Sequence, residues 1–190
     1  MKNAIIFPGQ GSQKVGMGKD LAEAFPAAKE VFETVDQALG MDLSSIIWEG
    51  QLTELTLTEN AQPALMASSM AIFAVLKSEG MTVDFFDFAA GHSLGEYSAL
   101  CATGALSLQD TAKLLRYRGI VMQSCLKSGE GSMAAIIGLA AGKVKEVLGL
   151  FDVVHSLDRE KLARIFSENI PKVFILSSRI KGFSLNSFPS

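Results

Sequence analysis

Two cysteines, two histidines and one tryptophan are all that this 190-residue chain has of those types, and each scarcity excludes something. Cys101 and Cys125 sit in helical patterns without metal-ligand spacing, so they read as buried thiols of a reducing compartment, and no metal is expected. No run of lysines or arginines occurs and the net charge is -3, which argues against nucleic acid and anionic membrane surfaces as partners. A long hydrophobic run is missing too. The longest, Pro63 to Leu76, is interrupted by Ser68 and Ser69 and falls short of the ~20 residues that span a bilayer. Before Pro8 the N-terminus is apolar for four residues only, too few for a signal peptide. A cytoplasmic protein is expected. What is present is a globular composition, 48% hydrophobic and 19% charged, enough for one domain with a core and part of a second.

The informative stretch is Gly91-His92-Ser93-Leu94-Gly95. Apolar Phe86, Phe88, Ala89 and Ala90 run up to it, and helix formers follow, which reads as strand, sharp turn and helix. Two glycines flanking a serine in G-x-S-x-G let strand and helix crowd past a strained turn that exposes the hydroxyl. The pattern by itself also fits a chance loop before an ordinary helix; the strand before it and the helix after it favour the elbow. Ser93 is the candidate nucleophile, and the amide of Leu94, at the helix start, points where an oxyanion would form.

Ala4–Phe7 reads as a short strand stopped by Pro8-Gly9. The glycine-rich segment from Gly9 to Gly18 fits neither phosphate loop. The dinucleotide fingerprint needs glycine where Lys14 stands, and the Walker pattern needs lysine where Met17 stands. A turn bringing backbone N–H groups to the end of the first strand is what remains. Helices are predicted over 27–39, ended by Gly40, and over a short segment capped by Asp42 and closed by Gly50. A further buried helix should open with Pro63 as its first residue and run to Lys77. The helix after Gly95 should reach about Ala105, and another, capped by Ser107, about Leu126. On that last helix Arg118 shares a face with Leu114, Val121 and Cys125, while Arg116 is turned well away. An arginine on an apolar face needs an anion, either a structural salt bridge or a substrate carboxylate gripped by the guanidinium fork. Ser128–Ser132 reads as a boundary loop, Met133–Leu139 as a strand and Ala141–Leu148 as a short helix.

With these residues in place the chain resembles the malonyl-CoA:acyl-carrier-protein transacylases of bacterial fatty acid synthesis. The matching segments are Phe7 to Gln13, Gln62-Pro63-Ala64-Leu65, Gly91 to Leu100, and Arg118-Gly119 followed by Met122-Gln123. The resemblance implies an α/β fold, with an α/β-hydrolase-like large domain (incomplete) over 1–128 and the start of a small ferredoxin-like subdomain over 129–150. It implies that Ser93 takes the malonyl group from coenzyme A as an ester and passes it to the phosphopantetheine thiol of acyl carrier protein. The backbone N–H groups of Gln10 and Leu94 would form the oxyanion hole, and Arg118 would hold the malonyl carboxylate. Malonyl-CoA and acyl carrier protein are the expected partners, and no permanently bound cofactor is expected. One covalent ester serves both half-reactions, since thioester and thiol exchange through it near thermoneutrality.

The family's catalytic histidine follows the small insert, and only His92 and His155 occur here. His92 is expected to be structural, its ring pointing away from the neighbouring hydroxyl. His155 lies in the 151–190 segment, which carries none of the family's later motifs and has six Lys/Arg against four Asp/Glu, reversing the balance of residues 1–150. A departure of the reading frame near residue 150, by frameshift or truncation, is therefore expected. So is a marginally stable product in which the Pro63–Leu76 helix lacks a partner. Loss of a base beside a serine nucleophile lowers turnover on the order of 10⁶-fold. The alternatives are a lipase or esterase, which needs no Arg118, an acyltransferase module of polyketide synthesis, and an inactive fragment that at most binds acyl-CoA or carrier protein. A freestanding enzyme is expected, because the motifs begin within a few residues of Met1.

Overall fold

An apolar tetrapeptide that meets a proline makes a short strand, and β1 (Ala4–Phe7) is that strand. The computed structural model describes residues 2–124. The predictions over 125–190 lie outside the described residues: the 129–150 subdomain start with Met133–Leu139 and Ala141–Leu148, the 151–190 segment, Cys125 and His155. β1 pairs in parallel with β2 (Phe88–Gly91), Ala4 opposite Phe88 and Phe7 opposite Gly91. A parallel neighbour requires a long crossover. Here it consists of α1 (Lys19–Ala24), α2 (Pro26–Leu39), α3 (Leu43–Glu49), α4 (Leu52–Thr56), α5 (Thr58–Ser78) and a 3₁₀ turn over Val83–Phe85. After β2 come α6 (Leu94–Ala102) and α7 (Leu108–Ser124). Among the described residues the protein is mostly helical, with this small sheet.

Local chemistry sets most of the boundaries. Gly40 closes α2 in the left-handed conformation, with φ 62°. Asp42 caps α3 by accepting from the Ser45 N–H at 3.1 Å, and that backbone hydrogen bond holds its carboxyl below the usual carboxylate range. At the start of α7 the Ser107 hydroxyl accepts from the Asp110 N–H at 3.0 Å and donates to the Asp110 carboxylate at 2.6 Å. The helix after Gly95 stops at Ala102, earlier than predicted. Thr103 donates its hydroxyl back to the Ala99 carbonyl, Gly104 turns left-handed, and the Ala105 N–H folds back onto Leu100. Two helices were not foreseen. α1 and α4 are six and five residues long, too short for a helical period to show.

α5 begins at Thr58, so Pro63 stands inside it rather than at its first position. Proline has no N–H for the carbonyl four residues back, which is that of Glu59. The Arg116 guanidinium of α7 donates to that carbonyl instead, at 3.0 Å. Nor is this helix left without a partner. It packs against α2, α6 and α7, and of its residues from Pro63 to Leu76 only Ile72 is exposed. Its Met66 and Ala67 share the core with Phe32, Leu43, Ile47, Leu55 and Leu115, and Phe32 meets Trp48 edge to face at 5.0 Å. Cys101 is buried in this core and free, and burial pushes its thiol up. One face of the sheet rests on α6, whereas Ile6 and Phe88 on the other are 75% and 55% exposed. Among the described residues no helix is long and apolar enough to cross a membrane.

Candidate active site

The turn between β2 and α6 holds Ser93 at φ 56°, ψ -111°, the only non-glycine residue with positive φ among those described. Such a conformation costs on the order of 1–3 kcal/mol and persists only when the surroundings enforce it. The two flanking glycines show how. A Cβ on Gly91 would lie 1.9 Å from the Gly95 carbonyl, and one on Gly95 would lie 2.4 Å from the Phe7 carbonyl oxygen. Strand, turn and helix therefore close on one another only because both side chains are missing. The Ser93 side chain stands exposed at the apex.

The loop after β1 abuts this turn. A Cβ on Gly9 would meet His92 Nδ1 at 2.5 Å, so the His92 ring lies against that loop and packs there. The loop is tied internally, by the Ser12 hydroxyl donating to the Gly9 carbonyl at 3.2 Å and the Gly11 N–H donating to Gln13 Oε1 at 2.8 Å. The Gln10 amide side chain reaches Thr58 at 3.5 Å. Among the described residues, the backbone N–H groups of Gln10 and Leu94 donate to no protein acceptor. The Leu94 N–H is the first of α6 and belongs to the orphan donors of a helix start.

Arg118 reaches the turn from α7. Its Nη2 donates to Ser93 Oγ at 3.0 Å, its Nη1 donates to Gln62 Oε1 at 2.5 Å, and its guanidinium carbon lies 5.8 Å from the centre of the Tyr97 ring. The face it shares is not the one predicted. Leu114 and Val121 are exposed, and α7 buries Thr111, Ala112, Leu115 and Gly119. Helical periodicity identified a face but could not say which face meets the core. Among the described residues no cluster of three metal-ligating side chains occurs.

Residues 4–158 match the family model described as acyl transferase domain. The chain belongs to that family. A malonyl CoA-acyl carrier protein transacylase of Bacillus subtilis (strain 168) is 47% identical over 186 residues, 98% of this chain and 56% of the relative. An acyl-carrier-protein-S-malonyltransferase from Bartonella henselae, solved by crystallography, is 58% identical with a TM-score of 0.75, covering 79% of this chain and 48% of that one. A type II PKS acyl-carrier protein in complex with its malonyl-transacylase gives a TM-score of 0.72 at 39% identity, over 79% of this chain and 48% of that chain. The chain spans about half the length of the curated relatives it matches.

Three residues that hold the site lie in the matching segments, but sequence reasoning assigned them no role. Gln62 and Tyr97 grip Arg118, and Gly119 lets α7 approach. A Cβ on Gly119 would lie 2.5 Å from Glu59 Cα and 2.7 Å from the Thr58 carbonyl oxygen. The signal for Gln62 was available, because an amide buried in a largely apolar helix must find a partner. Gly119→Ala is expected to push α7 off the first turn of α5 and to lower stability by about 1–3 kcal/mol. Urea unfolding checks this, and an unchanged midpoint would mean that the two helices part without loss.

Proposed function

We propose that this chain carries the nucleophile and the carboxylate-binding side chain of an [acyl-carrier-protein] S-malonyltransferase of fatty acid biosynthesis. In this reading β1, β2 and the turn after β2 are the nucleophile-bearing part of an α/β-hydrolase-like domain, followed from residue 129 by a ferredoxin-like subdomain. The observation that carries it is the guanidinium of Arg118 at 3.0 Å from an exposed serine hydroxyl on a strained turn.

Ser93 Oγ attacks the thioester carbonyl of malonyl-CoA, the carbon–sulfur bond breaks, and the hydroxyl proton ends on the departing coenzyme A thiol. The N–H groups of Gln10 and Leu94 receive the carbonyl oxygen as it becomes an oxyanion. The malonyl group is short, so its free carboxylate comes to the arginine that now bonds the hydroxyl. Acetyl has no such group and gains nothing from Arg118. In the second half-reaction the phosphopantetheine thiol of acyl carrier protein attacks the seryl ester and returns the proton to Ser93. The chemistry calls for no resident cofactor, only malonyl-CoA as substrate, and the protein acts in the cytoplasm.

The test is acylation followed by intact-mass and peptide mass spectrometry. Malonyl-CoA is expected to add a malonyl group to the peptide that contains Ser93. Arg118→Ala should slow that step by about 2–3 kcal/mol, on the order of 10²-fold, with acetyl-CoA unaffected. Equal losses for the two thioesters would leave Arg118 a structural role only, and no adduct with malonyl-CoA would sink the assignment.

A further inference from the structure

Two arginines two residues apart on α7 reach into the same neighbouring helix, and they are treated differently. Arg116 donates to the Glu59 carbonyl and to the Asn60 side chain, and its Nη2 lies 3.4 Å from the Glu59 carboxylate. Its charge is met by a charge, and it closes the gap left by Pro63. Arg118 is held as firmly, but among the described residues its contacts are neutral groups: the Gln62 amide oxygen, the Ser93 hydroxyl and the Tyr97 ring. Among the described residues, the ion pairs are Lys19–Glu49, Lys29–Glu33 and Arg116–Glu59, none of which involves Arg118.

Gln62 is 0% exposed, and the two ends of its amide have different neighbours. The oxygen accepts from Arg118, and the Nε2 faces the Met122 sulfur at 3.4 Å. A glutamate has the same shape, but it would neutralise the guanidinium and place a second oxygen against the thioether. An amide holds Arg118 in place without neutralising its positive charge.

We propose that Gln62 is a positioning residue that sets the preference for a diacid thioester, by fixing Arg118 through a neutral acceptor so that its charge remains for the incoming carboxylate. This rests on the role given to Arg118 under Proposed function. The inference concerns charge rather than shape, so Gln62→Glu, which keeps volume and the contact, is the informative change. Gln62→Met removes the contact and keeps the charge of Arg118.

The experiment measures the binding of malonyl-CoA and acetyl-CoA by titration calorimetry. A Ser93→Ala background keeps transfer from obscuring affinity, and thermal unfolding of each variant is followed in parallel. Gln62→Glu is expected to weaken malonyl-CoA binding by about tenfold to a hundredfold, the range of one charged hydrogen bond. Acetyl-CoA binding should not change. Gln62→Met should also lose affinity for malonyl-CoA alone, and it carries the test if the glutamate variant does not fold. If the parent prefers malonyl-CoA and the variants keep that preference, Gln62 is a packing residue and the inference is overturned by itself. If the parent binds both thioesters equally, the role of Arg118 falls, and the inference with it.

Discussion

Replacing Ser93 by alanine is expected to abolish the malonyl adduct on the protein, because no oxygen is then left at that position to form the ester. The change deletes one atom. Alanine keeps the Cβ and hence the strained backbone, and Arg118 loses one neutral acceptor at 3.0 Å while retaining Gln62. Stability should therefore change by no more than about 1 kcal/mol. Glycine at the same position separates chemistry from strain. Ser93→Gly should be equally inactive, yet it relieves a φ of 56° that a side chain tolerates poorly. After the entropic penalty of a glycine in the unfolded chain, a net gain of about 1 kcal/mol is expected. Mass spectrometry after exposure to malonyl-CoA and urea unfolding of both variants check the two halves. An adduct on another residue of Ser93→Ala would move the nucleophile elsewhere.

The second large effect is on folding. In Gly91→Ala the new methyl group would meet the Gly95 carbonyl carbon and oxygen at 1.9 Å and the Glu96 nitrogen at 2.4 Å. These are backbone atoms of a helix start and cannot rotate aside as a side chain would. Relief requires α6 to move off β2, and Gly95 cannot let it slide, because it is itself pressed against the Phe7 carbonyl. A loss of more than about 4 kcal/mol is expected, enough to remove cooperative unfolding from a protein of ordinary stability. Gly11→Ala is the control. It also places alanine in this loop region, at φ 111°, but in open space, so its penalty is conformational only. Comparable losses at the two positions would refute the steric account of the elbow.

Much of the architecture was legible because it is written in local chemistry. β1, the helix ended by Gly40, the Asp42 and Ser107 caps and the turn at Ser93 each depend on residues within a few positions of one another. The errors share the opposite cause. Pro63 read as a helix start because proline breaks backbone hydrogen bonding, and its place inside α5 depends on Arg116, distant in sequence, serving the vacant carbonyl. The face of α7 that carries Arg118 read as buried because it is apolar. Gly119 permits a closer approach than any side chain, and it turned the neighbouring face inward.

The amino-acid sequence by itself determined which side chains are available: an exposed hydroxyl between two glycines, a guanidinium on a helix, an amide in a largely apolar helix. These follow from residue identity and short-range sterics, which need no knowledge of the rest of the chain. Only the tertiary structure decided that Ser93 and Arg118, 25 residues apart, meet at 3.0 Å, and that Gln62, 56 residues from Arg118, grips it without neutralising it. Such meetings depend on how closely α5 and α7 pack, and that closeness is a property of many contacts at once.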